Sequence, residues 1–143
     1  MDSYHDKQAL LQAISQIRFT RGGTSTFLGL QYVRETSFNP ANGARNDVAK
    51  IAIVLTDGGS DSFSNTVQQA ALLKQAGVTV FAIGVGRINQ QELEAIASPP
   101  ISKHMFVVND FNALNHINGS VKQATCEEGN NYFHFPTLLI SSL

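Results

Sequence analysis

Asp57 stands at the end of the apolar run Ile51-Ala52-Ile53-Val54-Leu55, after Thr56 and before Gly58-Gly59. A carboxylate at the carboxyl end of a buried strand is costly to shield from water unless a cation or several N–H donors meet it. The glycines leave room for such a partner to come close. In an open parallel sheet this is also where ligands bind, in the crevice outside the strand ends. The pattern alone leaves two readings of Asp57 open: a ligand or metal donor, or a helix cap and loop hydrogen bond.

The remaining chemistry-bearing residues close several functional routes. His5, His104, His116 and His134 are scattered, with no helical pairing or carboxylate neighbour of the kind that marks a metal or general-base site, and read as structural or solvated. The single cysteine, Cys126, cannot close an internal disulfide, and no Cys/His cluster has zinc-site spacing. Gly84-Val85-Gly86 follows an apolar run, but Asn89 occupies the third glycine position of a dinucleotide loop, so a structural turn is the better reading. Neither a phosphate-cradling Gly-x-x-x-x-Gly-Lys-Ser/Thr loop nor a Gly-x-Ser-x-Gly nucleophile elbow occurs.

Composition sets the outer bounds. A chain of 143 residues, 43% hydrophobic and 15% charged, suits one domain with one buried core. Ten Lys plus Arg against eleven Asp plus Glu give a formal charge of −1, which argues against nucleic acid or an anionic membrane as partner. The longest apolar runs, Ile51 to Leu55 and Leu138 to Ile140, fall far short of the ~20 residues a membrane span requires. Residues Met1 to Lys7 are polar and lack the basic start and apolar run of a secretory signal.

The elements that must position Asp57 follow from periodicity. Leu10, Leu11, Ile14 and Ile17 form one apolar helical face, with Ser3 and Asp6 as start signals. Thr24, Ser25 and Thr26 offer hydroxyl caps to a second helix that carries Leu28 and Val33 towards the core. Ile51 to Leu55 is a strand buried on both faces, Val67 to Ala76 a helix stopped by Gly77, and Val78 to Ile83 a second strand stopped by Gly84. A short helix at Leu93 to Ala97, a strand at Met105 to Val108 and a helix carrying Phe111, Leu114, Ile117 and Val121 complete the series. Phe27, Tyr32, Phe81, Phe106 and Phe111 fall on or beside these apolar faces and are expected in the core. Strands alternating with helices predict an α/β fold, doubly wound and Rossmann-like, with a mostly parallel sheet and flanking helices. Gly129 to Leu143 loses helical periodicity and reads as a tail.

Five short motifs follow one another along the chain: Gly22-Gly23-Thr24-Ser25-Thr26, Leu55-Thr56-Asp57-Gly58-Gly59-Ser60, Ala82-Ile83-Gly84-Val85-Gly86, Glu92 to Ser98 and Val107-Val108-Asn109-Asp110-Phe111. In order and spacing they resemble the von Willebrand factor A (VWA) domain. The resemblance covers about residues 1–126, leaves 127–143 as a C-terminal tail, and within the family is greatest to matrilins and non-fibrillar collagens. It implies a metal-ion-dependent adhesion site built from an Asp-x-Ser-x-Ser loop, a threonine matched by Thr24 and an aspartate matched by Asp57. Oxygen donors of this kind suit Mg²⁺, whose shell an acidic side chain of a partner can complete.

The sequence departs from that family at one loop. No Asp-x-Ser-x-Ser occurs, and Asp61-Ser62-Phe63-Ser64 has the wrong spacing to replace it. By resemblance the chain starts where the family has completed its first strands, so the strand at Lys50 to Leu55 is expected to present an open apolar edge. Two donors hold Mg²⁺ poorly, so metal binding is expected to be weak. Many matrix members pair a cysteine at the position of Cys126 with one ahead of the first strand, a partner that is missing here. Asn118-Gly119-Ser120 is a glycosylation sequon inside an expected helix.

The resulting expectation is a secreted, non-enzymatic module of extracellular matrix or cell-surface adhesion that recognises proteins and has neither nucleic acid nor membrane as partner. Self-association through the open sheet edge or Cys126 is part of it. Three rivals remain: an intracellular scaffold of the same fold, a dinucleotide-binding α/β enzyme fragment resting on the Gly84 loop, and a non-functional truncated product.

Overall fold

A computed structural model describes residues 6–18, 22–130 and 137–142. Helix α1 (Lys7–Ser15) begins at Asp6, whose carboxylate accepts the Ala9 N–H at 2.8 Å, the expected start signal. Ser3 lies outside the described residues. Helix α2 (Thr26–Tyr32) runs on into a π-helical turn, Val33–Ser37. The elements that follow are β1 (Lys50–Thr56), α3 (Phe63–Gln75), β2 (Val78–Val85), α4 (Gln90–Ile96), α5 (Ile101–His104), β3 (Met105–Val108), α6 (Leu114–Asn130) and β4 (Thr137–Ser142).

The strands form one parallel sheet in the order β3-β2-β1-β4. Alternation along β1 serves both faces. Ala52 and Val54 point to the layer that holds Leu30 and Val33 of α2 and its extension, Ala70 and Leu73 of α3, and Leu93 and Ile96 of α4. Ile51 and Ile53 point the other way, with Phe81 and Phe106, onto Ala124 of α6. Helices on both faces of a parallel sheet make this a doubly wound α/β fold, and explain why β1 and β2 read as continuous apolar runs rather than as alternating ones.

Turn chemistry fixes the ends. Gly77, at φ +79°, closes α3 and turns the chain into β2. Lys74, in the last turn of α3, donates to the carbonyls of Ala95 and Ala97, tying α3 to the end of α4, and burial lowers its pKa.

Several expectations need correction. Leu28 is exposed, whereas Leu30 and Val33 are buried; residues 30 and 33 share a helical face, and 28 lies off it. Tyr32 and Phe111 are also exposed, and Phe111 precedes α6 rather than lying in it. Gly84 does not stop β2, which continues to Val85 before Gly86 turns the chain at φ +73°. The apolar face of α1 is helical as expected but stays exposed, Leu10, Leu11 and Ile14 by about half and Ile17 by 75%. The expected open edge of β1 is paired: β4 lies along it in parallel. Helix α6 itself runs past Cys126 to Asn130.

Candidate functional site

Thr24 lies on the segment entering α2, and Asp57 on the loop leaving β1. What joins them is Asp61. Its backbone N–H donates to the Thr24 carbonyl at 2.9 Å, and its Oδ1 accepts the Thr24 N–H at 3.0 Å. Its Oδ2 accepts the Ser25 hydroxyl at 3.1 Å. Ser25 is the N-cap residue of α2, yet its hydroxyl goes to Asp61 instead of capping the helix, so the expected hydroxyl cap is replaced by a loop clamp. A Cβ at Gly23 would overlap the Asp61 carboxylate, so any larger residue there would displace this clamp.

A second clamp holds the loop from beneath. Glu92 is buried, and its carboxylate accepts the Ser60 N–H at 3.0 Å and the Ser60 hydroxyl at 2.9 Å. Ser60 Oγ in turn accepts the hydroxyl of buried Thr66 at 2.9 Å. Asn89 caps α4 by accepting the Glu92 N–H at 3.2 Å. In a capping box the Glu92 side chain would return to the cap residue. Here it reaches across to Ser60, which couples the start of α4 to the β1 loop. Thr56 closes the strand end, its hydroxyl donating to the Gly58 carbonyl at 3.1 Å.

Asp57 is left exposed between these clamps, and among the described residues no donor takes its carboxylate. The ligand-or-cap question from the sequence is thus narrowed, since Ser62 rather than Asp57 precedes α3 as N-cap. Asp61 and Glu92 are the residues sequence reasoning missed as a pair of clamps. Asp61 stood only as part of a false motif, and the Asn89-x-x-Glu92 spacing was the available hint for Glu92.

The donor set is short for a metal ion. Mg²⁺ takes about six oxygens in near-octahedral geometry, and Thr24 and Asp57 supply a hydroxyl and a carboxylate. Asp61 and Glu92 are committed to protein donors, and no group of three or more His, Cys, Asp or Glu among the described residues could hold a metal. Thr26 Oγ1, buried without a hydrogen-bond partner among the described residues, is a spare oxygen on the same segment but does not complete a shell. These residues alone do not fit a fully ligated divalent ion.

The other expected bystanders behave differently from one another. His104 is buried, with Nδ1 3.1 Å from the Ser98 carbonyl, its ring edge-on to Phe81 at 4.7 Å, and Nε2 3.5 Å from Glu128. A carboxylate neighbour therefore exists, brought from α6, and the residue is structural. Lys103 meets both Glu127 and Glu128; hydrogen bonding to Glu127 raises its pKa, while Glu127 is lowered first by Gln123 and then by Lys103. This contact links α5 to α6 beside a cavity of about 610 Å³ lined by Lys74, Thr79 and His104, at the end where β2 begins. His116 and Asn118 are exposed, Cys126 is a partly buried free thiol, and His5 and His134 lie outside the described residues.

Removing the first clamp should loosen the segment without unfolding the chain. Asp61→Ala is expected to lower stability by about 1–2 kcal/mol and to speed hydrogen exchange at the Thr24 amide. Unchanged exchange there would mean that the loop is held by other contacts.

Residues 1–120 match the family model described as the von Willebrand factor type A domain. Human Matrilin-1 is 34% identical over 125 residues, which is 87% of this chain and 25% of that protein. The human collagen alpha-1(XX) chain is 35% identical over 127 residues, 89% of this chain and 10% of that one. Proximal thread matrix protein 1 from the mussel byssus, solved with a zinc-occupied MIDAS motif, superposes with a TM-score of 0.80 at 34% identity, covering 87% of this chain and 32% of that one. The chain thus spans about a quarter of the length of Matrilin-1.

Proposed function

Because the chain belongs to the von Willebrand factor type A domain family, we propose that it is a non-enzymatic, secreted binding module that recognises extracellular matrix or cell-surface proteins through the loops at the carboxyl end of its sheet. The observation that carries this reading is the exposed Asp57 carboxylate, unclaimed by any described donor, on a loop that Asp61 and Glu92 hold in place. A rigid loop with a free carboxylate is prepared for a cation or a basic group on a partner, and its orientation is set before binding. Thr24 and Asp57 are the donors we assign to a divalent ion such as Mg²⁺, with the remaining oxygens coming from water, from the partner, or from outside the described residues. The mussel protein's zinc-occupied MIDAS motif supports a metal in a relative of this fold, and the matrilin and collagen relatives support the matrix setting.

The test is binding of the purified chain to immobilised collagen and to other matrix proteins, with Mg²⁺ or with a chelator, beside Asp57→Ala. Binding that needs Mg²⁺ and disappears in the variant is the expected result. Binding indifferent to both changes would assign recognition to another surface, and no binding to any matrix protein would overturn the reading.

A further inference from the structure

Helix α6 is buried most in its second half. Ala124 and Thr125 are buried, and Glu127 and Glu128 hold the same half to α5 through Lys103. Earlier in the helix Asn118, Gly119 and Ser120 are all exposed. Because β3 runs parallel to the other strands, α6 starts beyond the carboxyl end of the sheet, the end that carries the Asp57 loop. Asn118 is the fifth residue of α6, roughly 6 Å along the axis from the first.

These three residues depart from what a helix favours, and packing gives no reason for it. Asn and Ser favour a helix less than Ala or Leu, and Gly is the least favourable type after Pro. A glycine inside a helix is ordinarily explained by the close approach of a neighbour or by a left-handed turn. Neither applies at Gly119, where a Cβ would meet nothing within 4 Å and φ is not positive. Local rules broken without a packing gain point to a functional position. What the three residues share is the acceptor sequence Asn-x-Ser with a centre other than proline, and no other Asn-x-Ser/Thr with such a centre occurs in the sequence.

We propose that Asn118 is an acceptor for an N-linked glycan, which stands on the exposed part of α6 near the loop end of the sheet. The inference rests on the secreted setting of the proposed function, because the modification is made in the secretory lumen. The donor is an oligosaccharide carried on a polyprenyl pyrophosphate, and the catalyst is an oligosaccharide transferase of that compartment. The Asn118 amide nitrogen forms a bond to the anomeric carbon, and the anomeric C–O bond breaks with its electron pair leaving on the pyrophosphate. The amide gives up one proton to a base of the transferase. Such an acceptor is taken in extended form, and weak helix formers at all three positions favour that form before α6 folds. The folded chain then has room for a bulky polar group, since Asn118 is exposed and the buried positions of α6 lie further along it.

The full chain, fused to a cleavable secretion leader, is expressed in a eukaryotic host, and the leader-processed protein is weighed before and after peptide N-glycosidase. A glycan mass that the enzyme removes, leaving Asn118 converted to aspartate in the peptide map, is the expected result. It should be lost completely in Asn118→Gln and in Ser120→Ala and kept in Ser120→Thr. Transfer precedes folding, so these readings do not depend on the stability of the variants. A processed native chain without glycan, or a glycan that persists in Asn118→Gln, overturns the acceptor. Circular dichroism of the glycosylated and the trimmed chain tests the placement: identical helix content is expected, and helix that returns only on trimming overturns it. The added leader separates the acceptor from the secreted setting. A modified directed chain supports the acceptor, and an unmodified natural chain beside it would count against natural secretion alone.

Discussion

Phe81→Ala should destabilise the chain by about 3–5 kcal/mol, the range for deleting a large aromatic side chain from a packed core. Phe81 is wholly buried, packs with Ile51 and Ala124, and meets the His104 ring edge-on at 4.7 Å. It is therefore the side chain through which the sheet holds both α6 and the α5 end. The contrast with the other layer is informative, because Leu30, Leu73, Leu93 and Ile96 share that burial among many apolar neighbours. Among the described residues the layer under α6 holds few large side chains, so few of them can relax into a cavity at Phe81. Urea unfolding of the variant and of Leu73→Ala measures both. A loss below about 1 kcal/mol at Phe81, the scale of an ordinary surface change, would mean that α6 is not docked as described.

Glu92→Ala is expected to have the next largest effect, about 1–3 kcal/mol, because it removes a buried acceptor and leaves the partly buried Ser60 N–H and hydroxyl without their partner. Glu92→Gln keeps one acceptor oxygen but turns an NH₂ towards donors, so it should fall between alanine and the native residue. The variant also carries a positional signature. Loss of the clamp should release the Ser60 amide to exchange and leave the Val80 amide, deep in β2, protected. Equal changes at both amides would make Glu92 a general stability residue with no special hold on the Asp57 loop.

The parts legible in the sequence are those set by local pattern. Ile51 to Leu55 and Val78 to Ile83 announce buried parallel strands because each is long enough, apolar throughout and closed by glycine or Thr-Asp-Gly. Helix α3 was equally plain, ended by Gly77. The errors arise where long-range packing decides. Leu28 is expected beside Val33 in the core, and docking against α3 selects the face of Leu30 and Val33 instead. Thr137–Ser142 is too short to declare itself, and becomes a strand through pairing with a partner more than eighty residues away in the chain.

The site divides in the same manner. Thr24 and Asp57 are proposed from family motifs, whose residue types and spacing can be read along the linear sequence. Asp61 and Glu92 act on residues separated from them by 36–37 and 32 positions, and no periodicity links such pairs. Their roles are visible only once α2, α4 and the β1 loop have been brought together. The clamps explain how an exposed aspartate can stay oriented for a ligand.

The most direct measurement is calorimetric titration of Mg²⁺ and Mn²⁺ into the full chain, with Asp57→Ala and Thr24→Ala alongside and circular dichroism on all three proteins. Weak, saturable binding by the native chain and its loss in both variants, with their spectra unchanged, is the expected result. Titrations that are identical in the native chain and Asp57→Ala, or a folded native chain that takes up no metal, would contradict the assignment of Thr24 and Asp57 as the metal donors of the binding site.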